Sequence, residues 1–178
     1  MKFRQGAKND SKAIAQLFAS VFTDSDGDDE GLLISQLAAG LFESTDEQDL
    51  YNFVAVDVGR IVGSIFFSRV TVEHGLDAFI LAPVAVLSDR QGEGIGQGLI
   101  NHGLGELRRR GVSLVLTYGD PRFYRKVGFH HVSPEILKPP FELTQPEGWL
   151  GQSLVDDPIE AFSGRLTCVE ALSSPVYW

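Results

Sequence analysis

"DRQGEGIGQGLI", residues 89–100, sets four glycines within seven positions and then passes into helix formers. Just before it runs "AFILAPVAVL", residues 78–87, a continuous apolar stretch of the kind expected for a strand covered on both faces. After it a helical pattern continues to Arg110, where three arginines suit the negative end of the helix dipole and Gly111 supplies a stop. The order is strand, glycine loop, helix. The first turn of such a helix has free N–H groups and the positive dipole end, so phosphate binds there readily. Glycines let a bulky anion approach the backbone, and they equally serve a tight turn. On the glycines alone both readings stand.

Two familiar phosphate motifs do not fit. A P-loop needs Lys and then Ser or Thr after its last glycine, whereas Gln97 follows Gly96. The dinucleotide fingerprint G-x-G-x-x-G fails from Gly92, Gly94 and Gly96, ending on Gln97, Leu99 and Asn101.

Working outward, residues 2–6 read as a first strand. Asp10 and Ser11 offer N-caps to a helix whose Ile14, Leu17, Phe18, Val21 and Phe22 recur at helical spacing. "TDSDGDDEG", residues 23–31, reads as a polar loop, with a second helix over about 31–42 and another acidic loop after it. Residues 52–75 are rich in Val, Ile and Phe and break at Val58-Gly59-Arg60, a hairpin signal; His74-Gly75 marks the next turn. Pro83 inside the apolar run predicts a bulge or a free edge. "VSLVLTYG" is another buried strand. "DPRFYRKVG" is a short helix with Asp120 as N-cap and Pro121 at N1, and "FHHV" is extended. Residues 133–158 carry no clear pattern, and "RLTCVEAL", 165–172, reads as a last strand. The expectation is one α/β domain over residues 1–178: a mixed, mostly antiparallel sheet of about six to seven strands with helices on both faces. Residues 133–178 form a less typical extension that completes the sheet.

The net charge of -9 disfavours nucleic acid and anionic membranes as partners. A single cysteine, Cys168, allows no intrachain disulfide and fits a reducing cytoplasm. The opening "MKFRQGAKND" lacks the apolar core of a secretory signal, and residues 78–87 are too short to span a bilayer. A cytoplasmic protein is therefore expected.

"VAVLSDRQGEGIGQGLI" resembles the acyl-CoA motif of the GNAT superfamily of N-acetyltransferases, Val-x-Pro-x-x-(Gln/Arg)-x-x-Gly-x-(Gly/Ala). Val86, Gln91, Gly94 and Gly96 match, and Ser88 stands where proline is common. "GDPRFYRKVGF" resembles a second feature of that family, a Tyr four residues before Gly-Phe: Tyr124, Gly128, Phe129. The likeness covers about residues 1–132 and includes the element order. It implies a sheet splayed between strands four and five, with pantetheine of acetyl-CoA lying in the gap against the main chain of Val84, Ala85 and Val86. It implies that Gln91, Gly92, Glu93, Gly94, Ile95, Gly96 and Gln97 surround the pyrophosphate. A backbone N–H on or near Val86 would polarise the acetyl carbonyl, and Tyr124 would be the general acid, with no metal. The acceptor would be a primary amine on a small molecule or a protein, the enzyme a monomer or homodimer. A non-catalytic domain that binds acyl-CoA and regulates a partner is the rival reading, because no general base is visible in strand four.

The remaining candidates read mostly as structure. Phe123 and Phe129 are packing residues and Asp120 is a helix cap. Glu73, His74 and Asp77 are turn residues near the substrate end. His102 reads as a surface histidine and Cys168 as an apolar filler. Arg90, Arg125 and Lys126 are the nearest cations for CoA phosphates. "DSDGDDE" begins like a calcium loop, but its sixth position is Asp29 rather than Gly and its twelfth Ser35 rather than Glu. A solvated acidic loop bordering the acceptor cleft, attractive to a cationic amine, is the expectation for it.

Overall fold

The computed structural model describes residues 1–72, 75–159 and 164–178. Strands β1 (Lys2–Gln5), β2 (Leu50–Asp57), β3 (Arg60–Thr71), β4 (Ala78–Val86), β5 (Leu114–Tyr118), β6 (His130–His131), β7 (Trp149–Ser153) and β8 (Thr167–Cys168) form one sheet. Its order is β1-β2-β3-β4-β5-β7-β6, with β8 paired to the end of β3. Among the described strands every pairing is antiparallel except β4 with β5. Helices α1 (Ser11–Asp26), α2 (Asp28–Ser44), α3 (Ile95–Arg109) and α4 (Pro121–Tyr124) complete the fold.

The two faces of the sheet follow from strand alternation. Phe66 points to one side and meets Phe18 of α1 and Phe42 of α2. Its neighbour Phe67 points to the other, against Phe53 and Gly103 of α3. Helix α1 buries Ile14, Leu17, Phe18 and Val21, the stripe its periodicity predicts, while Phe22 is half-buried at the edge. The hairpin between β2 and β3 turns on Val58 (φ 46°) and Gly59 (φ 78°), both left-handed as a type I′ turn requires.

Three expectations are corrected. The acidic stretch 23–31 is not a loop: α1 runs through Asp26, Gly27 alone breaks the chain at φ 99°, and α2 begins at Asp28. Asp28, Asp29 and Glu30 occupy the first turn of α2, where the positive dipole end favours carboxylates. The patternless region 133–158 contains β7, which inserts between β5 and β6. Finally, β8 is only two residues long and pairs with Val70 and Thr71, where β3 projects past the end of β2.

Two features of β4 place the functional region. Ile65 pairs with Val84 and Phe67 with Leu81, so Phe66 faces two residues, Ala82 and Pro83: the bulge expected at Pro83. The parallel pairing with β5 covers only Ala78–Leu81, so from Ala82 to Val86 β4 has no partner on that side among the described residues. The sheet forks there.

Candidate active site

The fork opens into a cleft of about 500 Å³. Val84, Ala85 and Val86 of β4 form one wall, and Gln91, Gly92, Gly94, Ile95, Gly96 and Gln97 form another. Val21, Arg90, Asp120, Phe123, Tyr124 and Lys126 complete it. The ladder shows which backbone groups face the opening. The Leu87 N–H donates to the Val62 carbonyl at 3.0 Å, so alternation turns the main chain of Ala85 toward β3 as well. The N–H and C=O groups of Val84 and Val86 then point into the gap. Ala85 lines the cleft, but its backbone groups face β3, against the expectation that they are free for the ligand.

The four glycines divide by task. Gly92 (φ 82°) and Gly94 (φ 80°) are left-handed, and a Cβ added to either would meet no atom within 4 Å. The space above that backbone is open. Gly94 caps α3 without a side chain, and the first helical bond joins the Gly98 N–H to the Gly94 carbonyl at 2.9 Å. The N–H groups of Ile95, Gly96 and Gln97 therefore have no helical acceptor. Gly96 faces Phe123, its Cβ position 3.4 Å from the ring. Gly98 serves packing instead, since a Cβ there would come within 2.8 Å of Phe3.

Around the loop, Gln91 Nε2 donates to the Val86 carbonyl at 3.1 Å and ties the loop to the strand. Ser88, where the family's proline is common, donates its hydroxyl to Asp24 at 2.7 Å and joins the end of α1 to the same loop. Glu93 does not line the cleft; its carboxylate pairs with Arg90 at 3.0 Å. Arg90 also binds Asp57 at 3.1 Å, so two carboxylates engage it at the rim. Lys126 lines the cleft, whereas Arg125 lines a separate depression beside Pro121 and Phe129.

Asp120 accepts the Arg122 N–H at 2.9 Å as the N-cap of α4 and binds the Arg122 guanidinium, which holds its carboxyl below the usual range. The cap starts the helix that carries Tyr124. The Tyr124 ring packs edge-on against Phe123 and Phe129 and leaves no room for a Cβ on Gly119, which would lie 2.6 Å from it. Burial pushes the Tyr124 phenol above its ordinary value, with the neighbouring Thr117 hydroxyl opposing the shift. Thr117 is buried and donates to the Leu81 carbonyl at 2.8 Å, the last paired residue of β4 at the fork. Sequence reasoning missed Thr117, which carries no motif.

A second cavity of about 290 Å³ opens toward α1 and α2 and shares Val84 and Tyr124 with the cleft. Glu30 lines it, the one member of the acidic stretch that does. Other candidates stand elsewhere. Asp77 binds Arg69, which also holds Asp49. Glu73 and His74 lie outside the described residues. His102 is half-buried, correcting its surface reading: its ring lies 5.5 Å from that of Phe53 and 5.9 Å from that of Phe3. Cys168 is half-buried in β8 and burial pushes its thiol up, away from a nucleophile's range.

A mixed α/β sheet that forks beside the N-terminus of a helix is the architecture of this site, and known proteins share it. A family model described as an acetyltransferase (GNAT) domain matches residues 48–131. The uncharacterised N-acetyltransferase YjhQ of Escherichia coli K12 is 30% identical over 142 residues, covering 76% of this chain and 78% of YjhQ. The solved structure of Escherichia coli YhbS, a GNAT family N-acetyltransferase in complex with CoA, superposes with a TM-score of 0.82 at 25% identity, covering 97% of this chain and 92% of that one. A GNAT family acetyltransferase from Brucella melitensis in complex with acetyl-CoA superposes with a TM-score of 0.70 at 26% identity, covering 96% of each chain. This chain belongs to the GNAT superfamily of N-acetyltransferases.

Proposed function

We propose that this protein transfers the acetyl group of acetyl-CoA to a primary amine. The observation that carries this reading is the meeting of three helix N–H groups without helical acceptors and the Tyr124 phenol on one cleft at the fork. The open space above Gly92 and Gly94 fits a pyrophosphate lying on bare backbone. The N–H groups of Ile95, Gly96 and Gln97 hold that phosphate, and Lys126 adds a cation. Gln91 keeps the loop in register with Val86. Val84 and Val86 bond pantetheine as an added strand. The Val86 N–H stabilises the thioester oxygen as charge develops there.

The ammonium first gives one proton to solvent, and the neutral amine attacks the carbonyl carbon. As the C–N bond forms and the C–S bond breaks, Tyr124 passes its proton to sulfur and is restored by the second proton leaving nitrogen. The balance is one amide, one free thiol and one proton released. A phenol is protonated at neutral pH, the state this role needs, and burial moves Tyr124 further in that direction. The lone cysteine supports placing the enzyme in the cytoplasm, and the one sheet that takes in strands from β1 to β8 supports a single domain over residues 1–178.

Calorimetry with CoA, together with thiol release from acetyl-CoA across a panel of amines, tests the proposal. Binding with amine-dependent thiol release is expected. Binding without turnover for any amine would favour an acyl-CoA-sensing domain, and absent binding would reduce the glycine loop to a turn.

A further inference from the structure

We propose that the second cavity selects a small primary monoamine with an apolar or aromatic body, its ammonium paired with Glu30. This deepens the proposed acetyl transfer and rests on it. The cavity touches the cleft through Val84 and Tyr124, so an amine held in it reaches the fork where the thioester would lie. Glu30 is the one charged side chain among its described lining residues; every other is apolar or a tyrosine. That charge count separates the amine classes. A polyamine or an aminoglycoside brings several ammonium groups, and each one buried here without a partner carries a desolvation penalty. One ammonium matches one carboxylate. Glu30 sits in the first turn of α2, half-buried, where the helix dipole favours its negative charge.

The body of the acceptor follows from the rest of the wall. Phe22 of α1, Ile34 and Leu37 of α2, Tyr118 and Tyr177 give it no further charge to satisfy. At about 290 Å³ the space lies at the small end of ligand sites, which run from about 300 to 1,000 Å³. An extended peptide does not fit that description; a single ring or a short alkyl chain does.

One side of the cavity is a strap, the 3-10 turn Pro175–Tyr177. The buried indole of Trp178 fixes it, donating to the Leu172 carbonyl at 3.1 Å and packing on Tyr118, Phe141 and Trp149. Tyr118 is anchored in turn through its hydroxyl, which accepts the Gln145 N–H at 2.9 Å. The strap thus presents Tyr177 as a held aromatic surface.

The full-length protein is assayed with acetyl-CoA and 2-phenylethylamine, benzylamine, ethylamine, spermidine and kanamycin, with CoA affinity measured alongside. The two aralkylamines are expected to show the highest kcat/KM. Glu30→Gln keeps the shape and is expected to raise the KM for 2-phenylethylamine about tenfold or more, with CoA affinity unchanged. Tyr177→Ala is expected to raise the KM for 2-phenylethylamine several-fold while leaving that for ethylamine nearly as it was. A higher kcat/KM for spermidine or kanamycin overturns the assignment, as does an amine KM indifferent to Glu30→Gln in a folded variant. If wild-type protein binds CoA but acetylates none of the monoamines, the acceptor class alone fails. If it does not bind CoA, acetyl transfer itself fails.

Discussion

The Tyr124 phenol is protonated at neutral pH by its ordinary acidity, and desolvation pushes its titration further up. An unperturbed phenol titrates at about 10, and desolvation raises it further because the phenolate is the form that loses most by leaving water. In the proposed mechanism the alkaline limb of kcat therefore lies above pH ~10. The same shift has a stability consequence. The folded state keeps a proton that the unfolded state releases, so stability falls as pH rises from the unfolded value and the loss is complete above the folded one. Tyr124→Phe keeps the ring between Phe123 and Phe129 and removes both effects. It is expected to lower kcat by about 10²-fold or less, since thiolate is already a good leaving group, with CoA affinity unchanged. Wild-type kcat with an unaltered alkaline limb would leave Tyr124 as packing alone. The residue was legible in the sequence because it stands four places before Gly128-Phe129. Thr117 and the packing role of Gly119 were not, and Glu30 was read only as one of an acidic stretch near the acceptor, because the contacts that single these residues out run across elements and no local spacing encodes them. Thr117 matters through the Leu81 carbonyl, Gly119 through the Tyr124 ring, and Glu30 through a cavity closed by residues more than a hundred positions away.

Among the elements, α3 shows how one helix serves a site at its first turn and the core along its length. Two glycines near its middle separate these demands. A Cβ on Gly103 would lie 2.5 Å from the buried Phe67 ring, whereas one on Gly105 meets only Arg109, at 3.8 Å. Replacing either with alanine gains about 0.8–1.0 kcal/mol of helix propensity. At position 103, overpacking of about 1–3 kcal/mol opposes that gain and is expected to win. Gly103→Ala should thus lower the denaturant midpoint and Gly105→Ala should raise it. Two upward shifts would show that the sheet face packed against α3 yields to the extra methyl. Elements with a strong period were legible: the α1 stripe, the β2–β3 turn at Val58-Gly59 and the bulge at Pro83. The α1–α2 junction was not, because Asp and Ser read as loop formers in the sequence. Here helix packing and the dipole override propensity, and Gly27 alone makes the break. Strand β7 was hidden for another reason. "WLGQS" is short, contains Gly and Gln, and is fixed by pairing on both sides and by the Trp149 indole on the Leu137 carbonyl at 2.9 Å.

For the whole molecule, the core is continuous: α1, α2 and α3 pack on the two faces of the sheet that carries the fork. A ligand bound at the fork therefore stabilises the entire domain rather than a loop. The linkage is RT ln(1 + [L]/Kd), about 2.7 kcal/mol when CoA is present at about a hundred times its Kd. For a domain of this size each kcal/mol moves Tm by about 2–4 °C, so saturating CoA is expected to raise Tm by about 5–11 °C. Gly94→Asp isolates the glycine loop in the same measurement. Its Cβ meets open space, and Asp tolerates the left-handed conformation better than most residues, so the fold survives with a cost of about 1–2 kcal/mol. The new carboxylate then stands where phosphate is proposed to lie. CoA affinity should fall at least about tenfold, which is about 1.4 kcal/mol. At a fixed CoA concentration the Tm rise should shrink by about 3–6 °C relative to the unmutated protein. Acetyl-CoA and CoA should behave alike in this experiment, because both carry the same phosphates. A full Tm rise in a folded Gly94→Asp protein would mean that the stabilising ligand sits elsewhere on the molecule, and that the bare backbone above Gly92 and Gly94 is a turn and nothing more.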